Sequence, residues 1–517
     1  MSSLVVFAIF CTVLFIIHRK LREKVTFFKR RKIIYDEPAV IFGNVGNVFF
    51  GRCSYVDILI DAYKRHANDR IVGFFNFNRP QLIICDTKIV RKILFENLDH
   101  FVNHVDQFSA QSLGSLNYHQ WNEIKNSLDV IFDDIGMKQM FELMLKSTDE
   151  MIEYLNYKDG IDEEFIIDIK DLSKKFCVNS LASCLGIHKV NCFRNKNDKI
   201  FKIAEKISKN FGFIGHLKSL ISSVFPNFYK AMNIQLVDSQ TKEFFNQAVI
   251  EEMKVRQVKK FTRPDMIQLL LEAKNGQLHH YRMDVSSSDG KYSKSNENLR
   301  KLKQITWPDE YYIAIGYSLF SEGYRLSVNV LQMLCYELAK NYDIQMELID
   351  EIDEINEKEG ITYENLNNMK LLNMILDETL RLWPTETTQN QLCTKDYSLT
   401  TDDGFRFEFQ KGDELIIPAI AIHRDAKHYD NPLTFEPHRF DMKQIEEAEY
   451  LPFNNGPRSF ILRNFAMQLV KIFIYQLLTH FTLEMCHKTP STIQLKQSFE
   501  FDVREKIYMR LKSRIRN

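Results

Sequence analysis

The chain has 517 residues, 45% of them hydrophobic, enough to bury a large core in one big domain or two. Its 68 basic and 68 acidic residues cancel, so no global field argues for a nucleic-acid partner. The nine cysteines show neither C-x-x-C nor metal-ligand spacing and read as reduced, mostly buried thiols of a protein facing the cytosol.

Residues 4–17 carry no charge, and His18-Arg19-Lys20-Leu21-Arg22 follows at once. At about 1.5 Å per residue the run covers about 21 Å, short of the roughly 30 Å hydrocarbon core. No basic residue precedes it and no small-x-small cleavage site follows, so residues 1–20 read as a signal anchor rather than a cleaved signal peptide. Positive charge on the C-terminal flank would hold the remaining chain in the cytosol. Residues 21–50, with Lys29-Arg30-Arg31-Lys32, read as a basic juxtamembrane segment and hinge, and residues 51–517 as the main domain.

Arg70–Phe77 is rich in β-formers; Asn78-Arg79-Pro80 is expected to turn the chain and Gln81–Cys85 to return as a hairpin. Asp86-Thr87 offers N-cap chemistry for a helix through Ile93-Leu94. Residues 140–255 are helix-rich by period. The polar span Glu272–Lys303 is the candidate mobile loop. Thr306-Trp307-Pro308-Asp309 reads as a capping-box start, with proline in the first turn, of a helix reaching about Lys340. Tyr317, Phe320, Tyr324, Val328, Leu331, Cys335 and Leu338 recur at three and four, which buries one face of it. Glu378 and Arg381, at i and i+3, share a helix face and can pair. Lys411-Gly412 begins a strand, and Ile416–Ile422 leads to His423-Arg424-Asp425. The stretch Pro452–Ala466 opens with an Asn455-Gly456 turn and runs into an apolar, Pro-free segment expected to be helical to about Leu478.

The pattern Phe453-x-x-Gly456-x-Arg458-x-Phe460-x-Leu462 resembles the haem loop of the cytochrome P450 family, the haem-thiolate monooxygenases. In that family the eighth position of the motif is cysteine and the tenth usually glycine. Trp121-x-x-x-Lys125 sits where the family keeps a Trp-x-x-x-Arg on a haem propionate, and lysine can neutralise a carboxylate only as a point charge. Gln391 stands where many members keep another propionate arginine. Glu378-Thr379-Leu380-Arg381, followed by Phe435-Glu436-Pro437-His438-Arg439-Phe440, matches the segments whose Glu378, Arg381 and Arg439 would form a buried charge triad. Glu322-Gly323-Tyr324-Arg325-Leu326-Ser327 is in register with the Ala-Gly-x-Asp/Glu-Thr-Thr of the helix over the haem. Arg325 and Leu326 replace the acid and alcohol of its proton relay. Residues 70–94, Arg263-Pro264-Asp265-Met266 and the segment 477–490 resemble insect microsomal members of the detoxifying kind.

The resemblance implies a mainly α fold with small β-sheets (α+β), the cytochrome P450 fold, behind an anchor in the endoplasmic reticulum membrane with the catalytic-type domain facing the cytosol. It implies haem contacts at Trp121, Lys125, Phe453, Gly456 and Arg458, with Phe460 in the axial position and His423 structural. It further implies NADPH-cytochrome P450 reductase as partner, with NADPH acting only through it, and a lipophilic substrate such as a hormone, plant toxin or insecticide. The family's thiolate pushes electron density toward the iron and favours O–O cleavage; Phe460 has no lone pair to give. No catalytic residue and no metal ligand is therefore assigned, and a catalytically impaired member is expected. A working monooxygenase, a non-catalytic ligand- or reductase-binding protein and a structural membrane protein are the other readings, and haem content separates them.

Overall fold

The computed structural model of the chain describes residues 26–514, apart from 40, 104–117, 161–164, 188–189, 196–197, 210–220, 222–238, 276–306, 443–444, 454 and 457–460. The expected anchor, Arg458, Phe460 and most of the expected mobile loop lie outside the described residues. Among the described residues no helix is long and apolar enough to cross a membrane.

Helices dominate, and short polar side chains start many of them. Helix α1 (Tyr55–Arg65) begins with a reciprocal box in which Ser54 accepts from the Asp57 amide and Asp57 accepts from the Ser54 amide. Helix α2 (Tyr118–Ile131) is followed by α3 (Asp134–Asp159), where Asp133 accepts from the amides of Ile135 and Gly136. Asp168 caps α4 (Ile169–Cys184) in the same way, and Asp265 caps α5 (Met266–Lys274). Asp265 is itself buried in a two-pronged pair with Arg256, at 2.6 and 2.8 Å. A Cβ at Gly186 (φ +79°) would sit 2.7 Å from the Arg256 guanidinium, so this pair needs a glycine beside it.

Helix α6 (Asp309–Lys340) spans the main core, and α7 (Tyr342–Lys358), α8 (Lys370–Leu382) and α9 (Arg463–His480) pack around its C-terminal half. The expected capping box is not what starts α6. Pro308 occupies the N-cap without a side-chain bond, and Thr306 lies outside the described residues. Asp309 and Glu310 in the first turn supply the negative charge that the helix N-terminus favours.

Strands β1 (Ile71–Asn76) and β2 (Arg79–Ile84) form the expected hairpin, antiparallel with Asn76 opposite Arg79. The turn falls at Phe77-Asn78, one residue earlier than the Asn78-Arg79-Pro80 reading. Pro80 stays in the ladder opposite Phe75 because the strand on the other side of β2, Glu414–Ile417, pairs only with Gln81–Ile83, leaving no bond for the missing proline N–H to break. Phe77 takes a left-handed φ of 56°, and burial of its ring beside Phe49 and Phe499 offsets that strain. The sheet runs β1-β2-β7-β4, with β4 (Gln389–Leu392) antiparallel and β2 parallel to β7 (Glu414–Ile417). A second sheet joins β3 (Ile166–Asp168), β9 (Tyr508–Ser513) and β8 (Phe481–Met485), and β5 (Tyr397–Thr400) pairs with β6 (Arg406–Phe409).

One buried network ties α8 to the chain that leads to the glycine turn at 456. Arg381 is fully buried and spends all five N–H donors. It bonds both oxygens of Glu378 (2.7 and 2.8 Å) and the carbonyls of His423, Pro432 and Thr434. Arg439 Nε reaches Glu378 Oε1 at 3.1 Å, and the Glu436 amide donates to the same oxygen. Glu378, Arg381 and Arg439 thus meet, and the Glu436 carboxylate, 3.1 Å from Arg439, balances the second guanidinium. Replacing Arg381 by methionine would break its buried pair with Glu378 and leave three carbonyls without their donor; the expected loss is about 3–5 kcal/mol of stability, read by denaturant unfolding. A loss under about 1 kcal/mol would contradict a buried, coupled triad.

Candidate functional site

The candidate site is built from α6 and the described residues of 451–462. Residues 451–453 and 455 are held by hydrogen bonds from other elements. Thr385 Oγ1 donates to the Pro452 carbonyl at 2.8 Å. Gln389, buried on β4, donates through Nε2 to the Phe453 carbonyl at 2.8 Å and accepts from the Asn455 amide at 3.1 Å. Gly456 follows with φ +95°, and a Cβ there would come within 3.2 Å of the Leu94 carbonyl. The expected glycine turn is therefore a close backbone approach. Phe453 is buried under the Arg463 guanidinium, 5.1 Å from its ring centre, and Leu462 is buried at the start of α9.

His423 anchors the same segment from below. The Leu451 amide can only donate, so His423 Nε2 accepts it at 2.7 Å. The ring proton therefore sits on Nδ1, which donates to the Arg381 carbonyl at 3.1 Å. Burial, then the neighbouring Arg381 charge, pushes the ring's pKa down to about 3. Both ring nitrogens are used, so His423 has no lone pair left for a metal.

Opposite the loop, α6 keeps one open face. From Ala314 to Asn329 the half-buried positions are Ala314, Tyr317, Ser321, Glu322, Arg325 and Asn329, three and four apart apart from the adjoining Ser321-Glu322 pair; every other residue there is buried. Arg325 stands on this face and binds Glu386, 61 residues away, through Nη2 and Oε1 at 2.6 Å. Its side chain keeps 35% of its surface accessible, yet desolvation is the largest influence on the guanidinium. Glu386, then Glu500 and Glu322, hold the guanidinium firmly protonated. Leu326 is buried, 1% exposed. Ser327 is fully buried, its hydroxyl without a partner among the described residues. Neither residue stands on the open face, so neither offers a proton to the space beside Arg325.

At the other end of that face, Gln120 on α2 donates to the Tyr311 hydroxyl at 3.1 Å, which brings α2 alongside. Trp121 is buried on α2, and Lys125 is ion-paired with Asp129 one turn on. Gln391 is buried on β4 and neutral. The cationic groups read for propionates thus become one lysine already neutralised and one uncharged amide, with Arg458 outside the described residues.

None of the described cysteines is in a disulfide. Burial pushes the thiols of Cys177, Cys184 and Cys335 up, and those of Cys85 and Cys192 up to about 12. Cys393 is raised to about 11 and donates to the Lys395 carbonyl. Among the described residues no three His, Cys, Asp or Glu side chains cluster as metal ligands.

A mainly helical fold with a loop slung beneath a long central helix, locked by a buried Glu–Arg–Arg triad, defines a haem-monooxygenase type of scaffold. The chain belongs to the cytochrome P450 family, whose model matches residues 37–509. It is similar to "Probable cytochrome P450 9f2" of Drosophila melanogaster, 28% identical over 95% of each chain. It is similar also to "Cytochrome P450 9e2" of Blattella germanica, 30% identical over 94% of each. "Cytochrome P450 6a8" of Drosophila melanogaster is 27% identical over 98% of this chain and 97% of its own. Membership implies haem as the family's cofactor and monooxygenation as its reaction.

Sequence reasoning named Arg325 but missed Glu386, Gln389 and Glu500. No local pattern marks them: Glu386 gains meaning only from a contact 61 residues away, and Gln389 from a loop more than 60 residues on.

His423 makes a pH-dependent contribution of known sign. Above about pH 6.5 both folded and unfolded rings are neutral and its contribution is flat. Below that, the unfolded chain takes up a proton that the folded chain refuses until about pH 3, so stability falls with pH through this window. Urea unfolding at pH 7 and pH 5 should show a loss on the order of 2 kcal/mol that His423→Gln lacks. Equal slopes in the two proteins would refute the assignment.

Proposed function

We propose that this chain is a cytochrome P450 family protein that does not carry out the family's oxygen insertion, and that it works by binding a lipophilic small molecule or the family's reductase at the endoplasmic reticulum membrane. The observation that carries this reading is the donor set. The axial position is Phe460, which has no lone pair, and burial raises the thiols of Cys85, Cys177, Cys184, Cys192, Cys335 and Cys393. The residues present therefore do not fit a haem held by thiolate.

The distal side supports the same reading. Proton delivery needs a group that can lose and regain a proton beside the reacting atom. Arg325 stays protonated throughout the accessible pH range, and Leu326 has no proton to give. Haem held without a thiolate remains compatible with Trp121, Lys125 and Phe453, and such a protein would bind a ligand without activating oxygen. The run 4–17 with the basic cluster behind it supports a membrane-attached chain.

The test is haem content and the carbon-monoxide spectrum of the reduced protein, on membranes containing the unaltered chain. The expected result is no thiolate-type band. Phe460→Cys should gain that band once haem is supplied, because the substitution restores the missing donor. A strong thiolate-type band in the unaltered chain would overturn the proposal and restore the working-monooxygenase reading.

A further inference from the structure

Residues 383–388 join α8 to β4 and lie in no helix or strand, so individual bonds set their position. Two of these bonds reach α6. The Trp383 indole N–H donates to Glu337 Oε1 at 2.9 Å, and Glu386 pairs with Arg325 at 2.6 Å. At about 1.5 Å per residue Arg325 and Glu337 stand about 18 Å apart along α6, so the segment is pinned to the helix at two separate points. Other bonds reach the loop. Thr385 Oγ1 donates to the Pro452 carbonyl at 2.8 Å, and Gln389, the first residue of β4, holds the Phe453 carbonyl and the Asn455 amide. The Ile420 amide donates to the Thr387 carbonyl at 3.2 Å and steadies the middle of the segment.

Thr385 and Glu386 share a peptide bond, yet the first holds the loop and the second holds α6. Thr385 is buried, and its bond has little slack: a drift of about 0.7 Å would carry it to the limit of a hydrogen bond, about 3.5 Å. The two pins on α6 differ in how easily they open. Glu337 is buried and Trp383 lies under the Arg424 guanidinium, 4.7 Å from its ring centre, whereas Arg325 and Glu386 are both only half-buried. Desolvation opposes the charge of Arg325, and Glu386 is the foremost of the groups that favour it, ahead of Glu500 and Glu322. Glu500 also feels Lys496. Replacing Glu386 thus frees the segment without leaving Arg325 a bare charge.

We infer that the Arg325–Glu386 pair is a latch that positions the loop at 451–455: through Thr385 and Gln389 it ties the charged face of α6 to a loop that the pair itself does not touch. Arg325 and Glu386 are therefore positioning residues. Closed, the latch keeps the Thr385 hydroxyl and the Gln389 amide where the loop's carbonyls and amide need them. Opened, it loosens the loop from the far side of the segment. The inference goes beyond the binding function proposed above and depends neither on haem nor on the identity of a ligand.

Hydrogen exchange read by mass spectrometry, on the full chain in lipid nanodiscs, tests the latch. The reporters are peptides containing Leu451 and Asn455, whose amides are bonded to His423 and Gln389. Peptides from α3 gauge global opening. Glu386→Ala and Arg325→Met should each speed exchange in the loop about tenfold and leave α3 unchanged. Arg325→Lys keeps a point charge and should stay within about threefold of the unaltered chain, which separates ionic positioning from simple packing. Thr385→Val keeps the side chain's shape, removes the hydroxyl and should reproduce the rise. Combining Glu386→Ala with Arg325→Met, or with Thr385→Val, should give less than the product of the single effects, because each pair cuts one link twice. Unchanged loop exchange in Glu386→Ala, an equal rise in α3, Arg325→Lys as fast as Arg325→Met, or effects that multiply in full would each overturn the inference. The carbon-monoxide spectrum of the same preparation decides the non-catalytic reading and leaves this one untouched.

Discussion

Arg381 is the residue through which this fold is held around its site. A guanidinium has five N–H donors in a rigid fork, and here every one is spent inside the protein: two on Glu378 and three on carbonyls between 423 and 434. A lysine could not do this, since its three donors radiate from one point. The result is that α8, the short helix ending at His423 and the loop carrying Pro432 and Thr434 share one charge. Glu378 is stabilised in turn by Arg439 and by the Glu436 amide. Burial makes each of these contacts costly to leave half-made, so the network closes as a unit.

The described residues of the loop at 451–456 hang from this unit. His423 takes the Leu451 amide while giving its own proton to the Arg381 carbonyl, and Gln389 holds the Phe453 carbonyl and the Asn455 amide. None of these bonds involves position 460. The described part of the loop is therefore held through backbone carbonyls and amides by His423 and Gln389, and His423 is itself held by Arg381.

Much of the frame was legible because it depends on local rules. Asp86 before a helix, Asn455-Gly456 before a turn and the Glu378–Arg381 spacing each declare themselves within a few residues. Where the reading slipped, a tertiary contact decided against a local preference. Proline 80 looks like a turn residue, but its missing N–H faces no partner strand, so the ladder absorbs it and the buried ring of Phe77 makes the turn instead. The charged end of the site was the least legible part. Arg325 reads in sequence as a lost acid; only its contact with Glu386 shows that the position was given a different electrostatic task.

That contact also constrains how the distal change is to be understood. An unpaired guanidinium on an enclosed helix face would carry a desolvation cost of several kcal/mol. Arg325 is sustainable there because Glu386 supplies the opposite charge at 2.6 Å, and Asn329 and Phe501 close the same end of the space. Random loss of a proton relay requires no such partner; a leucine or alanine at 325 would have removed the acid with no new demand on residue 386. The arginine makes that demand, and the structure meets it. The ion pair bridged across 61 residues is therefore what lets the helix carry a guanidinium at this position.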